Sequence, residues 1–334
     1  MKKIFTLLAI VLFLNTKAQE PLILQPMKAD SIQPAKKDTS WKTHGFFGVN
    51  FSQTTLSNWQ GGGDDNLAAN AILNLQADYK KGKIEWSNKL DAQYGIVKFG
   101  TVKKGDFKSF RKNIDQLFAL TKFNVNAFSK YWFYAAQADY RSQFAPGYNY
   151  VGDSTVGRAV SDLNSPGYIQ IALGLDYKPT SYFSITFAPA AGKITIVNRQ
   201  YLADEGAYGV EKAVVDTAGN IITPGKKVRF EFGGRVIVKF KKDIFKNVNL
   251  DSYLDLFSNY GHNPGNIDVV FNNLLTLKIN KYLSANIISQ ILYDDDIIIK
   301  RDWNKDGLYD NPNDVFGPRV QLLTTIGVGF GYKF

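Results

Sequence analysis

The residues with the clearest chemical pattern are acids and amides near the C-terminus. Asp302, Asn304 and Asp306 alternate ahead of a glycine, and Asp310 follows, as in the first half of a calcium-binding loop. Alternate oxygen donors before a glycine let the chain wrap around a hard cation. An EF-hand has Glu at its twelfth position, where this chain has Asn. The pattern predicts a calcium site in the 302–314 loop, with a solvated acidic loop as the plainer interpretation.

A second set of charged residues recurs at every other position within segments that alternate with apolar residues. Consecutive side chains of a strand point to opposite faces, so these charges would share the face away from the apolar side chains. They could form rings that sort solutes in a pore, or a paired network that fills a narrow lumen. The sequence leaves both interpretations open. The candidate lumen residues are Glu85, Lys89, Asp91, Asp139, Arg141, Asp176, Arg229, Glu231, Arg235, Asp251 and Asp255.

Catalytic chemistry has little support in the chain. It contains no Cys and two His residues, His44 and His262. His44 begins a predicted strand and His262 lies in a loop at the opposite end of another, so we expect no Ser-His or Cys-His pair. The formal charge of +10 falls largely in turns and near strand ends, which favours solvent-facing lysines over a nucleic-acid partner. We therefore expect a protein that is not an enzyme.

The first 40 residues are expected to precede the folded body. Residues 1–18 combine Lys2 and Lys3, an apolar stretch and a small-residue cleavage site, which is typical of a secretory signal peptide. Residues 19–40 are rich in Pro, Lys, Asp and Ser and indicate a flexible periplasmic leader. This leader is either a plain tether or a contact for a periplasmic or membrane protein partner.

From residue 41 onward, alternation of apolar and polar residues predicts membrane-spanning strands. Beyond the signal no apolar run reaches the roughly 18 residues that a membrane helix needs. Spanning strands must pair all their backbone groups, which requires a closed barrel. We predict an all-β fold, a single transmembrane antiparallel up-and-down β-barrel over 41–334, with about 12 strands and with 10 or 14 as alternatives. The predicted strands are 43–58, 66–80, 83–98, 109–128, 130–144, 167–178, 181–199, 226–240, 247–260, 266–279, 282–294 and 319–334.

The connections alternate between tight turns and long loops. In bacterial barrels the short turns are periplasmic, so we expect both termini in the periplasm and the long loops outside. The tight turns are 80–83, 129–130, 179–180 and 280–281, and the long loops lie near 99–108, 145–166, 200–225 and 295–318. An aromatic belt at the inner interface is predicted from Tyr79, Tyr131, Trp132, Tyr177, Tyr182 and Tyr282.

The last strand carries an expected assembly signal. Phe330, Tyr332 and the terminal Phe334 follow one another at two-residue steps. Such an ending predicts recognition by the barrel-assembly machinery during insertion and a final location among outer-membrane lipid. On the other phase, Gly327, Gly329 and Gly331 would leave room for neighbouring charged side chains.

Several short runs resemble one bacterial family. They are the run from Gly45 to Gln53, the run from Leu56 to Trp59 with the glycines after it, and the ending from Gly327 to Phe334. These residues are similar to the outer-membrane family called domain of unknown function 3078. The resemblance implies an outer-membrane barrel over nearly all of residues 41–334, and it implies no catalytic residues.

Two functions are compatible with these expectations. The first is a narrow channel for small solutes. The alternative is a non-conducting structural or accessory barrel that partners a surface assembly or secretion complex.

Overall fold

Twelve long strands close into a single antiparallel sheet. The computed structural model describes residues 40–54, 66–100, 110–151, 154–280, 283–301 and 315–333. Within those residues, each barrel strand pairs with the next barrel strand along the chain, and the last pairs with the first. The prediction of an all-β, up-and-down barrel of about 12 strands is confirmed.

Short strands in separate hairpins accompany the barrel strands. In chain order the strands are β1 (Trp41–Thr54), β2 (Asn66–Lys81), β3 (Ile84–Phe99), β4 (Arg111–Asn126), β5 (Trp132–Ser142), β6 (Gly147–Val151), β7 (Ser154–Ser161), β8 (Gly167–Thr180), β9 (Phe183–Ile196), β10 (Val214–Val215), β11 (Ile221–Thr223), β12 (Val228–Phe245), β13 (Val248–Asn259), β14 (Ile267–Lys278), β15 (Leu283–Tyr293), β16 (Ile299–Arg301), β17 (Val315–Gly317) and β18 (Gln321–Lys333). The hairpins are β6–β7, β10–β11 and β16–β17, and the other strands form the barrel. These hairpins lie in the connections that the sequence predicted as long loops.

The two ends of the barrel differ in the length of their connections. Two residues, 181–182, join β8 to β9, and 246–247 join β12 to β13. At the opposite end, β5 connects to β8 and β9 to β12 through stretches that contain hairpins of their own. We call the two ends the short-turn end and the long-loop end. β1 begins and β18 ends at the short-turn end, as the antiparallel pairing requires.

Alternation along the strands separates an apolar outside from a polar inside. On β8, Ile171 and Leu173 are exposed, whereas Gln170 and Asp176 on the other phase are buried. Since side chains alternate across a strand, the buried polar phase faces the enclosed lumen and the exposed apolar phase faces outward. An outward apolar band around a polar interior is the arrangement of a transmembrane barrel.

Aromatic side chains gather at the short-turn end. The rings of Trp132 and Tyr177 lie on neighbouring strands with their centroids 4.8 Å apart. Amphipathic rings at one height match a membrane interface, where one part of the ring is in lipid and the other in water. The other predicted belt residues are Tyr79, Tyr131 and Tyr182, each with a ring contact at this end, and Tyr282, which lies outside the described residues.

The connection between β9 and β12 folds into a small body of its own. It contains the helix α1 (Gln200–Asp204) and buries Val197, Leu202, Ala203 and Val210 against one another. A single helical turn is unstable in isolation, so this packing, rather than local propensity, holds it. Nowhere in the described part of the chain is a helix both long and apolar enough to cross a membrane.

Candidate functional site: the barrel interior

The lumen is lined by two unlike surfaces. We call the inward faces of β5, β8, β9, β12 and β13 the charged wall, and the inward faces of β15, β18, β1 and β2 the amide wall. β3, β4 and β14 stand between them. All eleven candidate lumen residues lie on the inward phase of their strands, most of them on the charged wall.

Arg235 forms the centre of the charged wall. Its guanidinium binds Asp255 through two bonds of 2.8 and 2.7 Å and pairs with Asp139 at 2.7 Å. Tyr253 contacts the same guanidinium at 3.3 Å, and Arg141 lies 3.7 Å from the Asp255 carboxylate. The Arg235 side chain is completely buried. A buried charge is tolerated only with such partners, so this cluster joins β5, β12 and β13 across the lumen.

A second cluster lies nearer the short-turn end and is built around Asp176. Its carboxylate pairs with Lys122 at 2.8 Å and accepts a hydrogen bond from Thr186 at 2.7 Å. Lys178 of β8 lies 3.4 Å from Asp176 and 2.8 Å from Glu85. Glu85 is on β3, and β4 and β5 separate that strand from β8 in the ring. Two acids and two lysines therefore link β3, β4 and β8, and Thr186 adds β9.

A third cluster lies at the long-loop end around Lys193. Its ammonium is 2.6 Å from Asp268 and 2.7 Å from Asp294. Carboxylate oxygens of Asp268, Asp294 and Asp295 come within 4.8 Å of one another, a spacing that could suit a cation. Lys193 supplies one positive charge that Asp268 and Asp294 share, and this offsets part of the repulsion among the acids.

Arg229 extends this cluster toward the loops. It pairs with Asp296 at 2.5 Å and with Glu231 at 3.2 Å, and it donates to the carbonyl of Gly209 at 2.9 Å. Asn259 also donates to Glu231, at 3.1 Å. The guanidinium thereby joins the wall to the loop body between β9 and β12.

That loop body rests on the β6–β7 hairpin. The Tyr201 hydroxyl donates to the carbonyl of Ala159 and the Tyr208 hydroxyl to that of Val160, both at 2.6 Å. Burial raises the pKa of Tyr208 to about 12, so this phenol keeps its proton and its donor role at neutral pH. The long-loop end is therefore structured above the charged wall.

The remaining candidate residues form pairs outside the three clusters. Lys89 pairs with Asp91 at 2.7 Å on β3, and Asp251 pairs with the largely exposed Lys241 at 2.8 Å. Asn74 of β2 donates to Asp91 at 2.8 Å. These contacts lie beside the more accessible part of the lumen and toward the short-turn end.

The amide wall has a different chemistry. Asn50 of β1 donates to Asn70 of β2 at 2.9 Å, and both are buried. Gly329 of β18 lies against Asn50, where an added Cβ would come within 1.9 Å of the amide oxygen. The prediction that these glycines leave room for charged side chains is wrong in its detail, because the neighbour of Gly329 is an amide.

Two contacts cross the lumen between strands on nearly opposite sides of the barrel. Gln116 of β4 donates to Gln290 of β15 at 3.0 Å. The rings of Phe118 on β4 and Tyr253 on β13 lie 6.3 Å apart. Both contacts involve uncharged groups, and together they constrict the interior.

The alternation analysis missed three lysines that hold the clusters together: Lys122, Lys178 and Lys193. Next to Pro189, the pairing of β9 shifts by one residue with both of its neighbours, β8 and β12. Even-numbered residues of β9 therefore point inward before Pro189, and odd-numbered residues such as Lys193 point inward after it. Proline cannot donate to a sheet and commonly marks such a bulge, which was the available signal. Lys122 and Lys178 lie on the ordinary inward phase and could have been found from it.

Several predicted features fall on residues that are not described. These are the calcium-loop residues Asp302, Asn304, Asp306 and Asp310, the terminal Phe334, the signal and residues 19–39 of the leader. Of the predicted assembly signal, Phe330 is exposed on the outward phase of β18, and Tyr332 belongs to that strand. His44 lies at the short-turn end and His262 at the long-loop end.

Comparison with protein families matches residues 51–148 to the model described as a protein of unknown function (DUF3078). The match covers less than a third of the chain. The DUF3078 segment runs from the end of β1 through β5 into the first loop hairpin, so it includes one side of the amide wall and the first strand of the charged wall. The resemblance predicted from Gly45–Trp59 is confirmed, over a shorter stretch than the whole barrel.

Solved structures similar to this chain include two membrane barrels. One is the COG4313 outer membrane channel from Pseudomonas putida F1, with 10% identity, 87% of this chain and 95% of that chain covered, and a TM-score of 0.37. The other is the translocator domain of the autotransporter NalP from Neisseria meningitidis, with 8% identity, 89% of each chain covered, and a TM-score of 0.34. A search of curated proteins gave no match.

Proposed function

We propose that this protein is a narrow channel for small solutes in the bacterial outer membrane, with both termini on the periplasmic side. The observation that carries the proposal is the nature of the constriction. The groups that meet between nearly opposite strands, Gln116 with Gln290 and Phe118 with Tyr253, are uncharged. Moving the side chains of Gln116 and Phe118 away breaks one hydrogen bond and one ring contact, a much smaller cost than separating buried ions.

The distribution of charge supports the same proposal. Arg235 of the charged wall is held by Asp139 and Asp255 of the same wall. Such pairs leave little net charge to attract one sign of ion at the constriction. We therefore expect weak ion selectivity and a preference set by solute size.

The proposed orientation rests on the connections. Bacterial barrels have short periplasmic turns and long external loops. The two-residue turns at 181–182 and 246–247 lie at the end where β1 begins and β18 ends. This supports periplasmic termini and a loop body, with α1, outside the cell.

The test is conductance of the purified barrel in planar bilayers. We expect small, discrete current steps from the unmodified protein and larger steps from Phe118→Ala, because the smaller side chain opens the constriction. Phe123→Ala is the matched control, since Phe123 lies on the same strand but is exposed on the outward phase. Equal conductance of Phe118→Ala and Phe123→Ala would contradict the assigned constriction.

A second candidate function is a non-conducting accessory barrel. The complete burial of Arg235 and the contacts across the lumen favour it, since both fill the interior. It predicts silent bilayers for the unmodified protein and for Phe118→Ala alike. It also predicts a protein partner that remains bound in mild detergent and is lost when residues 19–40 are deleted.

A further inference from the structure

A row of polar side chains crosses the outward surface of four neighbouring strands. Ser252 on β13 is the register partner of Asn273 on β14, Asn273 of Ser289 on β15, and Ser289 of Thr324 on β18. We call these four residues the polar row. Strand pairing places them side by side, although they are far apart in sequence.

The polar row faces away from the lumen. Asn272 and Gln290 hydrogen-bond to each other at 2.8 Å, and Gln290 reaches Gln116 across the interior. These are the chain neighbours of Asn273 and Ser289. Because side chains alternate across a strand, Asn273 and Ser289 must point outward.

The polar row also lies within the apolar band. On β14 the outward residues two positions to either side of Asn273 are Phe271 and Leu275. On β15 those around Ser289 are Ile287 and Ile291. Lipid chains offer no hydrogen-bond partner, so a polar group at this depth costs free energy unless another group pairs with it.

That pairing is incomplete within the chain. The Ser252 hydroxyl donates to the Asn273 side-chain oxygen at 2.6 Å. Among the described residues, the Asn273 side-chain NH₂ donates to no acceptor, and the hydroxyls of Ser289 and Thr324 have no hydrogen-bond partner. Two N–H groups and two hydroxyls are therefore available to a neighbour in the membrane.

The outward surface of three other strands differs from the polar row in its residue types. The outward phases of β8, β9 and β12 are apolar, and Leu173, Phe187, Phe230 and Phe232 are exposed there. Aliphatic and aromatic side chains of this kind are suited to lipid. The polar row lies on β13, β14, β15 and β18, next to β12 in the closed ring, and another protein surface would satisfy its unpaired groups.

We propose that the polar row is the contact surface for a second copy of this chain. An amide both donates and accepts, and so does a hydroxyl, so the row is complementary to itself. A two-fold axis along the membrane normal beside Asn273 would let the two Asn273 amides form a reciprocal pair. Most homo-oligomers are closed and symmetric, and polar side chains commonly join membrane segments. This contact does not depend on whether the barrel conducts.

Cysteine cross-linking tests the contact directly, because the chain contains no Cys. Asn273→Cys in intact outer membranes, treated with a short bifunctional thiol reagent, should give a product of twice the monomer mass. Leu173→Cys is the matched control, since Leu173 is an exposed, outward residue on β8, on another side of the barrel. A lipid-soluble maleimide should label both thiols, which establishes that each is accessible.

Other results would overturn the proposal. Equal cross-linking of the two variants indicates random collision, and no product from an Asn273→Cys variant that the maleimide labels indicates that no copy is near. A product of any other mass indicates a different protein at this surface. Each of these outcomes would contradict the proposal that a second copy of the chain binds the polar row.

A second measurement concerns affinity. Asn273→Leu should weaken the dimer by about tenfold, measured by sedimentation in detergent, while heat-modifiable gel migration shows that the barrel is folded. Ser289→Leu provides an independent variant of the same row, with a smaller expected effect. An unchanged dissociation constant in both folded variants would show that the polar row is not the contact.

Discussion

The charged wall and the amide wall line one lumen, but different interactions stabilise them. The charged wall is cross-linked by buried ions, with Arg235 binding Asp139 and Asp255 from two other strands. The amide wall depends on neutral pairs such as Asn50 with Asn70 and on close backbone approach at Gly329. Breaking an ion cluster leaves a buried charge behind, whereas breaking an amide pair leaves only a polar group. The two walls should therefore respond very differently to substitution.

The two walls also differ in strand pairing. β12 and β13 are paired over nearly their full length, from Gly233 with Asn259 to Phe245 with Val248. Among the described residues, the pairing that closes the barrel, β1 with β18, runs from Phe46–Lys333 to Asn50–Gly329. The amide wall contains this short closing pair, so it is the side at which the barrel should open first.

The largest expected effect comes from the charged wall. Arg235→Leu should lower the free energy of unfolding by about 3–5 kcal/mol, because Asp139 and Asp255 would stay buried without a cation. Urea unfolding followed by tryptophan fluorescence in detergent measures the change. Adding Asp139→Asn and Asp255→Asn to Arg235→Leu should recover part of the loss. If the two added substitutions recovered none of the lost free energy of unfolding, packing rather than charge would account for the loss.

A smaller effect is expected at the closing pair of the amide wall. In Gly329→Ala the new Cβ would lie 2.5 Å from the Val49 carbonyl oxygen, which is backbone and cannot rotate away. We expect a loss of about 1–3 kcal/mol in the same unfolding experiment. Gly327→Ala is the matched control, since its Cβ would meet Asn50 at an ordinary 3.5 Å. Equal losses in the two variants would contradict the idea that close approach limits this pairing.

The smallest effect is expected at an exposed pair near the short-turn end. Lys80 pairs with Glu85 at 2.6 Å, but its side chain is 73% exposed, and Lys178 also pairs with Glu85. Lys80→Ala should cost about 1 kcal/mol or less. If Lys80→Ala lowered the free energy of unfolding as much as Arg235→Leu does, burial would not explain the difference between the walls.

Much of the barrel could be predicted from alternation alone. The period of two set the inward phase for residues such as Asp139, Arg235 and Asp255, because burial of one face fixes strand register. Which of these charges meet was not predictable, since Asp139 and Arg235 are separated by strands β8 and β9 in the closed ring. Lys193 was missed for a local reason, the register shift beside Pro189.

The sequence by itself predicted a barrel of about 12 strands, the outward apolar band and the end of the barrel at which the termini lie. These depend on alternation and on turn length, which are local properties of the chain. Only the tertiary structure decided that three ion clusters form on the charged wall and the strands beside it, that uncharged groups constrict the lumen, and that the polar row is continuous across four strands. Closure of the sheet brings distant strands within contact distance, and no pattern along a single strand records which side chains then meet.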